Sequence, residues 1–273
     1  FLMERGDAIR ELPPGRWDQD LFDPTRTRPG TTYVRRAGYV EGLEQIDAGF
    51  FGLSAHEASR MDPQQRLLLE TAFEALETAG ISLQQVSGQR VGVFVGLSSN
   101  DYMHLQTRDP RSGNAYTNTG SASSIAANRL SYVFNLKGPS VSVDTACSSG
   151  LTALHLACES LRRDECAVAL AGGVNLYLHP SKYVQLSQQR MLSPTGRCHA
   201  FGDAADGFVP GEGVGVVVLR RLADARAAGD RILGVIRATG IAHGGRTTGY
   251  TVPSSRSQGV LIRDTLARAG LGA

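Results

Sequence analysis

Three short runs of small and β-branched apolar residues constrain the fold of this chain more than any other feature. They are VGVFVG (91–96), AVALAGG (167–173) and GVGVVVL (213–219). Apolar runs of this length without polar alternation are typical of strands that are buried on both faces. Helical patterns separate or follow these runs, around 121–134, 148–163 and 255–270. The alternation predicts an α/β protein with a largely parallel sheet that helices cover on both faces.

The segment 62–80 is also predicted to be a helix, because both of its ends carry capping residues. Asp62 suits the N-cap, Pro63 suits the first helical position, and Gly80 suits the position just past the C-cap. The apolar face has five residues at helical spacing: Leu68, Ala72, Ala75, Leu76 and Ala79.

Residues 11–30, ELPPGRWDQDLFDPTRTRPG, make up a proline-rich stretch that we call the N-terminal loop. It is longer than most connections in compact domains. Loops of this kind serve as binding elements or as interface arms, and the sequence leaves both options open.

The composition argues against several classes of partner. The chain has 273 residues, and its net charge of +2 gives no electrostatic basis for binding nucleic acid or an anionic membrane surface. No apolar run approaches the roughly 20 residues that cross a bilayer. We therefore expect a cytoplasmic protein that contacts neither nucleic acid nor membrane.

Three of the four cysteines have ordinary settings. Cys158 lies on an apolar helical stripe, Cys166 precedes a predicted strand, and Cys198 lies in the polar loop RCHAFGD. No pair has the C-x-x-C spacing of a metal or redox site, and a reducing compartment disfavours disulfides. We expect all three to be structural and expect no metal.

Cys147 differs because it lies where a strand meets a helix, in VSVDTACSSGLTALHLA (141–157). A side chain there lies at the carboxyl edge of the sheet, where α/β proteins bind ligands. The N-terminus of the next helix favours the thiolate, which is the nucleophilic form, and a backbone N–H there can donate to an oxyanion. Leu151, Leu154 and Leu161 are expected to anchor that helix to the sheet. Six residues are expected to support the turn: Asp144, Thr145, Ala146, Ser148, Ser149 and Gly150.

The spacing by itself does not separate a nucleophile from a buried structural cysteine. A hydrolase elbow would need G-x-S-x-G, which this segment lacks, so neither Ser148 nor Ser149 is a good candidate nucleophile.

Segments along nearly the whole chain, beginning with DTACSSG, match one known family in order and separation. They resemble β-ketoacyl synthases, in particular the ketosynthase domains of modular polyketide synthases. The GYTVP and FVPGEG segments are similar to synthases that free-standing acyltransferases serve. The matching segments are RWD (16–18), AGFFGLSAHEASRMDPQQRLLLETAFEALETAG (48–80), VGVFVG (91–96), GPSVSVDTACSSGLTALHLA (138–157), LAGGVN (170–175), SPTGRCHAF (193–201), ADGFVPGEGVGVVVL (205–219) and GYTVPSSRSQGVLIRDTLARAGL (249–271).

The resemblance implies a thiolase-like fold with α/β/α/β/α layers that dimerises. Residues 1–230 would be the nearly complete N-terminal half, and residues 231–273 the start of a truncated C-terminal half. The implied partners are an acyl carrier protein, a second copy of the chain and neighbouring polyketide synthase domains. No bound cofactor is implied, because the substrates are carried on the phosphopantetheine arm of the carrier protein.

The reaction implied by the resemblance is a decarboxylative Claisen condensation, with Cys147 as the acyl-carrying nucleophile and its own N–H as one oxyanion donor. The family's two catalytic histidines lie in H-G-T-G-T and N-x-G-H motifs, and this sequence contains neither motif. We therefore expect the 273 residues to be part of a domain that, expressed alone, is insoluble or lacks a cooperative melt.

Two other functions remain open. A non-catalytic dimer partner or carrier-docking module would fit the missing histidines, although such relatives commonly lack the cysteine. A thiolase that acts on coenzyme A thioesters would share the fold, but DPQQRLLLE and DTACSSG together favour a ketosynthase.

Overall fold

The computed structural model describes residues 3–4, 6–17 and 19–272. Its strands are β1 (Ile9–Arg10), β2 (Ala37–Gly38), β3 (Val91–Gly96), β4 (Ser140–Val143), β5 (Val168–Asn175) and β6 (Gly213–Arg220). Its α-helices are α1 (Ala55–Arg60), α2 (Pro63–Thr78), α3 (Leu83–Val86), α4 (Asp101–Gln106), α5 (Thr117–Ser121), α6 (Ser123–Val133), α7 (Ser149–Arg162), α8 (Ser181–Gln188), α9 (Leu222–Ala228) and α10 (Ser255–Arg268).

A four-stranded sheet with the order β4-β3-β5-β6 forms the centre of the fold. β3 is parallel to both β4 and β5, which confirms the predicted α/β class. β6 is antiparallel to β5, so one of the three strand pairings in the largely parallel sheet departs from that direction. The chain leaves β5 at Asn175 and enters β6 at Gly213, which pairs with Asn175. The connection therefore returns to the end of the sheet where β5 finishes. A strand that starts there beside β5 must run antiparallel to it.

Different helices cover the two faces of the sheet. α2 and α6 pack on one face, where Leu76 and Leu130 share a buried cluster with Val93. α7 packs on the other face, where Ala157 shares a second cluster with Phe94. The strand β3, covered on both sides, is buried along its whole length, as predicted.

β6 is not fully buried, which differs from the sequence prediction. Val214, Val216 and Val218 pack against the core below α2, whereas Val217 is 48% exposed. Successive side chains of a strand point to opposite faces, and α7 lies mainly over β3 and β5. In the described part of the chain, little covers the second face of β6.

The predicted capping of α2 is confirmed. The Asp62 side chain accepts a hydrogen bond of 2.8 Å from the Gln64 N–H, and Pro63 occupies the first turn. Gly80 follows the helix with a φ of +71°, a left-handed conformation that favours glycine. On the predicted apolar face, Leu68, Ala72 and Leu76 are buried, whereas Ala75 and Ala79 are half-buried.

The Asp62 carboxyl should make stability depend on pH. Burial raises its pKa to about 6, and this effect exceeds the opposing hydrogen bonds from Gln64 and the charge of Arg66. Between about pH 4 and 6 the folded state therefore binds more protons than the unfolded state, and stability falls as pH rises. Asp62→Asn keeps an acceptor for Gln64 and removes the charge. We expect it to raise stability at pH 7 by up to about 3 kcal/mol and to change it little at pH 4.

Denaturant unfolding of the full polypeptide that carries these residues, at pH 4 and pH 7, measures this difference. The matched control is Asp203→Asn, because Asp203 is exposed. An Asp62→Asn effect that is equal at the two pH values would contradict the role of the buried charge.

The N-terminal loop is ordered around the buried carboxylate of Asp23. This group accepts hydrogen bonds from the backbone N–H groups of Thr25, Thr27 and Arg28. The Thr25 hydroxyl donates to the same carboxylate, and together these donors hold the pKa of Asp23 well below its usual range. Asp18, the last residue of the RWD segment (16–18), lies outside the described residues.

The segment 231–241, which follows α9, has no strand partner among the described residues. Leu233 in this segment is 81% exposed, and Val235 and Ile241 are each about half exposed. The predicted helix at 255–270 is present as α10, but none of its residues is buried. This part of the chain therefore presents apolar side chains that its described neighbours do not cover.

Candidate active site

The candidate site is the turn at residues 144–148, which we call the cysteine turn. β4 ends at Val143 and α7 begins at Ser149, so the turn joins a strand directly to a helix. Ala146 has a φ of +54°, an unfavourable conformation for a residue with a side chain. Cys147 follows it and is exposed.

Side-chain hydrogen bonds hold the cysteine turn in this conformation. Asp144 Oδ1 accepts from the Ala146 N–H at 2.9 Å. The Ser149 hydroxyl accepts from the Thr145 N–H at 2.9 Å and donates to the Ala146 carbonyl at 2.7 Å. The Ser148 hydroxyl donates to the Thr145 carbonyl at 2.8 Å. These hydrogen bonds fix the backbone of the cysteine turn.

Sequence reasoning missed Thr152, whose hydroxyl lies 3.1 Å from that of Thr145. None of the hydrogen bonds that hold the cysteine turn in the described structure uses the Cys147 N–H. That N–H has no acceptor among the described residues, so it can donate to a ligand.

Close backbone packing places the start of α7 on the carboxyl ends of two strands. A Cβ at Gly96, the last residue of β3, would lie 2.3 Å from the Ser149 carbonyl carbon. A Cβ at Gly173 in β5 would lie 3.4 Å from Gly150 Cα. Cys147 is therefore at the carboxyl edge of the parallel strands, where the sequence analysis expected it.

The predicted anchoring of α7 needs one correction. Leu161 is buried and Leu154 is partly buried against the sheet, but Leu151 is 74% exposed and anchors nothing in the described structure. The residues that face the sheet most directly are Ala153 and Ala157, both fully buried. Small side chains let α7 lie close to the sheet. The apolar pattern of the sequence did not distinguish the face of α7 that contacts the sheet from the face that does not.

Two of the other three cysteines are buried in the core, as the sequence predicted. Cys158 and Cys166 are buried, and burial raises the pKa of the Cys158 thiol. Cys198 is exposed, but its sulfur accepts a hydrogen bond of 3.1 Å from the Val209 N–H. All four cysteines are free thiols.

The described histidines do not hydrogen-bond to the cysteine turn. His155 Nδ1 lies 2.7 Å from the Thr239 hydroxyl, so His155 joins α7 to the segment 231–241. His243 Nδ1 accepts from the Gly245 N–H at 2.9 Å within its own loop.

The segment after β5 is held at the same edge of the sheet by a carboxylate that sequence reasoning missed. Asp101 is buried at the start of α4 and accepts from the N–H groups of Leu178 and His179, each at 3.0 Å. Burial raises the pKa of Asp101 despite these donors. An aspartate in SSND gives no local signal for a partner 77 residues away.

Arg220 and Arg221 form ion pairs with acidic residues of this chain. Arg220 pairs with Asp230 at 2.7 Å, and Arg221 pairs with Asp224 and Asp164.

Within the described ranges, no group of three or more histidine, cysteine or acidic residues could hold a metal ion. No helix there is both long enough and apolar enough to cross a membrane.

Comparison with known proteins identifies the family of this chain. Residues 1–225 match the model for the N-terminal domain of β-ketoacyl synthases, and the chain belongs to this family. Among solved structures, it is similar to the oxazolomycin ketosynthase domain OzmH KS7 from Streptomyces albus, with a TM-score of 0.93 and 46% identity over 98% of this chain. It is also similar to the ketosynthase from module 6 of the bacillaene synthase of Bacillus subtilis, with a TM-score of 0.87 and 40% identity over 99% of this chain. The predicted thiolase-like fold is confirmed.

Curated relatives are much longer than this chain. It is 49% identical to the reducing polyketide synthase ppsB of Aspergillus oryzae over 99% of its own length and 11% of that protein. It is 48% identical to the polyketide synthase ThaG of Burkholderia thailandensis over 99% of its own length and 5% of that protein. It also spans 46% and 45% of the two solved ketosynthase chains.

Proposed function

We propose that the chain is part of a 3-oxoacyl-carrier-protein synthase of polyketide chain elongation, with Cys147 as its nucleophile. The main support is that Cys147 has an exposed thiol in a strained turn that leads into α7. The chain also belongs to the β-ketoacyl synthase family. A nucleophile there is accessible to a thioester on a flexible arm and close to the N-terminus of a helix.

In the first step, the Cys147 thiolate attacks the carbonyl carbon of an acyl group on the phosphopantetheine arm of a carrier protein. A sulfur–carbon bond forms, and the oxyanion accepts from the free Cys147 N–H. The oxyanion collapses, the carrier thiolate leaves and takes up a proton, and the acyl group remains on Cys147.

In the second step, a malonyl-type carrier thioester loses carbon dioxide, and the electron pair of the broken bond forms a carbanion. The carbanion attacks the acyl-Cys147 carbonyl, and the Cys147 thiolate leaves. The product is a β-ketoacyl thioester on the carrier. By resemblance, the groups that stabilise decarboxylation belong to the two histidine motifs that this sequence does not contain.

We propose that residues 1–230 are the N-terminal half of the ketosynthase domain and that residues 231–273 begin its second half. The support is the exposed apolar surface of the segment 231–241 and of α10, which a packed second half would cover. A cytoplasmic location is proposed with it, because four free thiols suit a reducing compartment.

We further propose that the complete domain is a homodimer that works beside an acyl carrier protein and neighbouring synthase domains. β4 pairs with β3 on one side and has no strand partner on its other side among the described residues. An unpaired edge strand is a site for pairing with a second copy. Light scattering of the complete domain at micromolar concentration should give the mass of a dimer, and a stable monomer would refute the proposal.

Product analysis tests the proposed reaction. The complete domain is incubated with an acyl-carrier thioester and a malonyl-carrier thioester, and the carrier-bound product is identified by mass spectrometry. We expect a β-ketoacyl carrier and released carbon dioxide. Cleavage of 3-ketoacyl coenzyme A without any carrier reaction would instead identify a thiolase. Carrier binding without loading or condensation would identify a docking module.

A further inference from the structure

The carboxylate of Glu212 joins three separate segments beside the candidate site. Its side chain has no exposed surface. Oε1 accepts from Arg16 Nη1 at 2.8 Å and from the Tyr177 N–H at 2.9 Å. Oε2 accepts from the Val40 N–H at 2.9 Å. Each carboxylate oxygen therefore has at least one donor, as a buried charge requires.

Arg16 belongs to the N-terminal loop and completes this network. Its second guanidinium nitrogen, Nη2, donates to the Val40 carbonyl at 3.1 Å. The neighbouring Trp17 packs on Tyr183 with ring centroids 5.3 Å apart, and Tyr183 packs edge-on against Tyr177 at 5.2 Å. The N-terminal loop is thus connected to Tyr177 indirectly by two routes. Arg16 is connected through Glu212 to the Tyr177 N–H, and Trp17 through Tyr183 to the Tyr177 ring.

A buried ion pair contributes little net stability compared with apolar residues of the same size. A buried polar network whose members are all hydrogen-bonded does, however, rigidify the groups that it contacts. The Arg16–Glu212 pair joins residues 196 positions apart, so its effect falls on the relative positions of the N-terminal loop, Val40 and Tyr177.

Tyr177 lies two residues beyond the end of β5, on the edge of the sheet that also carries the cysteine turn. It follows the carboxyl end of β5, where Gly173 contacts the start of α7. Asp101 holds the next two backbone N–H groups, and β5 ends two residues before Tyr177, so the backbone is fixed before and after this residue. Burial raises the pKa of Tyr177, and the nearby charges of Cys147, Asp101 and Glu212 raise it further.

We propose that Glu212, held by Arg16, is a positioning residue that fixes Tyr177 as one wall of the acyl site beside Cys147. The inference rests on the proposed function, since it concerns the acyl group that Cys147 accepts. The acyl chain would approach the sulfur past the Tyr177 ring. A displaced wall would slow transfer from a long thioester and would leave the sulfur itself accessible to a small reagent.

The test compares two reactions of Cys147 in the complete domain: loading from an acyl-pantetheine thioester and alkylation by iodoacetamide. We expect Glu212→Gln to slow loading about ten-fold or more and to leave alkylation within about two-fold of the unsubstituted rate. The matched control is Asp230→Asn, which breaks the half-buried Arg220–Asp230 pair. Arg220 pairs with Val168 at the amino end of β5, the opposite edge of the sheet. Asp230→Asn should leave both rates unchanged.

A double-mutant cycle separates positioning from general loss of structure. If Glu212 acts through Tyr177, Tyr177→Ala with Glu212→Gln should load no more than about two-fold more slowly than Tyr177→Ala. Independent, multiplicative losses would overturn the proposal, and so would a normal loading rate in Glu212→Gln. If Glu212→Gln does not fold, Arg16→Lys keeps the charge but loses the forked contact to Val40, and loading by Arg16→Lys at the unsubstituted rate would overturn the proposal. Failure of the unsubstituted domain to load Cys147 would instead refute the proposed function, and this role with it.

Discussion

Replacing Cys147 by alanine should abolish acyl loading and condensation, with a loss of at least about 10³-fold. We expect no other cysteine to take its place. Cys158 and Cys166 are buried, and Cys198 lies in the connection between α8 and β6 rather than at the start of a helix. Loading of the complete domain from an acyl-carrier thioester, followed by intact mass spectrometry, measures the effect.

Two further variants sharpen this prediction. Cys147→Gln should also remove loading, but it should leave malonyl decarboxylation measurable where the family's histidines are present. Cys198→Ser is the matched control, because a serine hydroxyl can still accept from the Val209 N–H. It should load normally. Loading that persists in Cys147→Ala would show that the nucleophile is another residue.

The second large effect is expected from Gly96→Ala at the end of β3. The new Cβ would lie 2.3 Å from the Ser149 carbonyl carbon and 2.5 Å from the Gly150 nitrogen. Both are backbone atoms, so the start of α7 must move away from the sheet. We expect a loss of about 3 kcal/mol or more in the free energy of unfolding. Because Cys147 is two residues before α7, loading should fall as well.

Gly215→Ala is the matched control for this substitution. Gly215 lies in β6 of the same sheet, and a Cβ there would meet no atom within 4 Å. Its unfolding free energy should change by less than about 1 kcal/mol. Denaturant unfolding of the three proteins in parallel gives the comparison, and equal effects of the two glycine substitutions would contradict the close packing of α7 on β3.

The elements that could be predicted from sequence are those whose signals are local. The apolar run of β3 and the caps of α2 at Asp62 and Gly80 are properties of a few adjacent residues. The direction of β6 could not be predicted in this way, because it depends on where the connection from β5 returns. The burial of β6 depends in turn on which strands α7 covers.

The residues of the candidate site show the same difference between local and long-range signals. Cys147 was found because a strand, a turn and a helix follow one another along the chain. Glu212 and Asp101 were missed because their partners lie far away in sequence, at Arg16 and at Leu178. The exposure of Leu151 was also missed, because an apolar pattern does not show which side of a helix the sheet occupies.

The most direct test of Cys147 as the nucleophile is to find which of the four cysteines carries the acyl group. The complete domain is exposed briefly to an acyl-pantetheine thioester, digested with trypsin and analysed by mass spectrometry. We expect a mass increase on the peptide that contains Cys147 and none on those that contain Cys158, Cys166 or Cys198. An acyl group on Cys198, or on no cysteine at all, would contradict the assignment of Cys147 as the nucleophile.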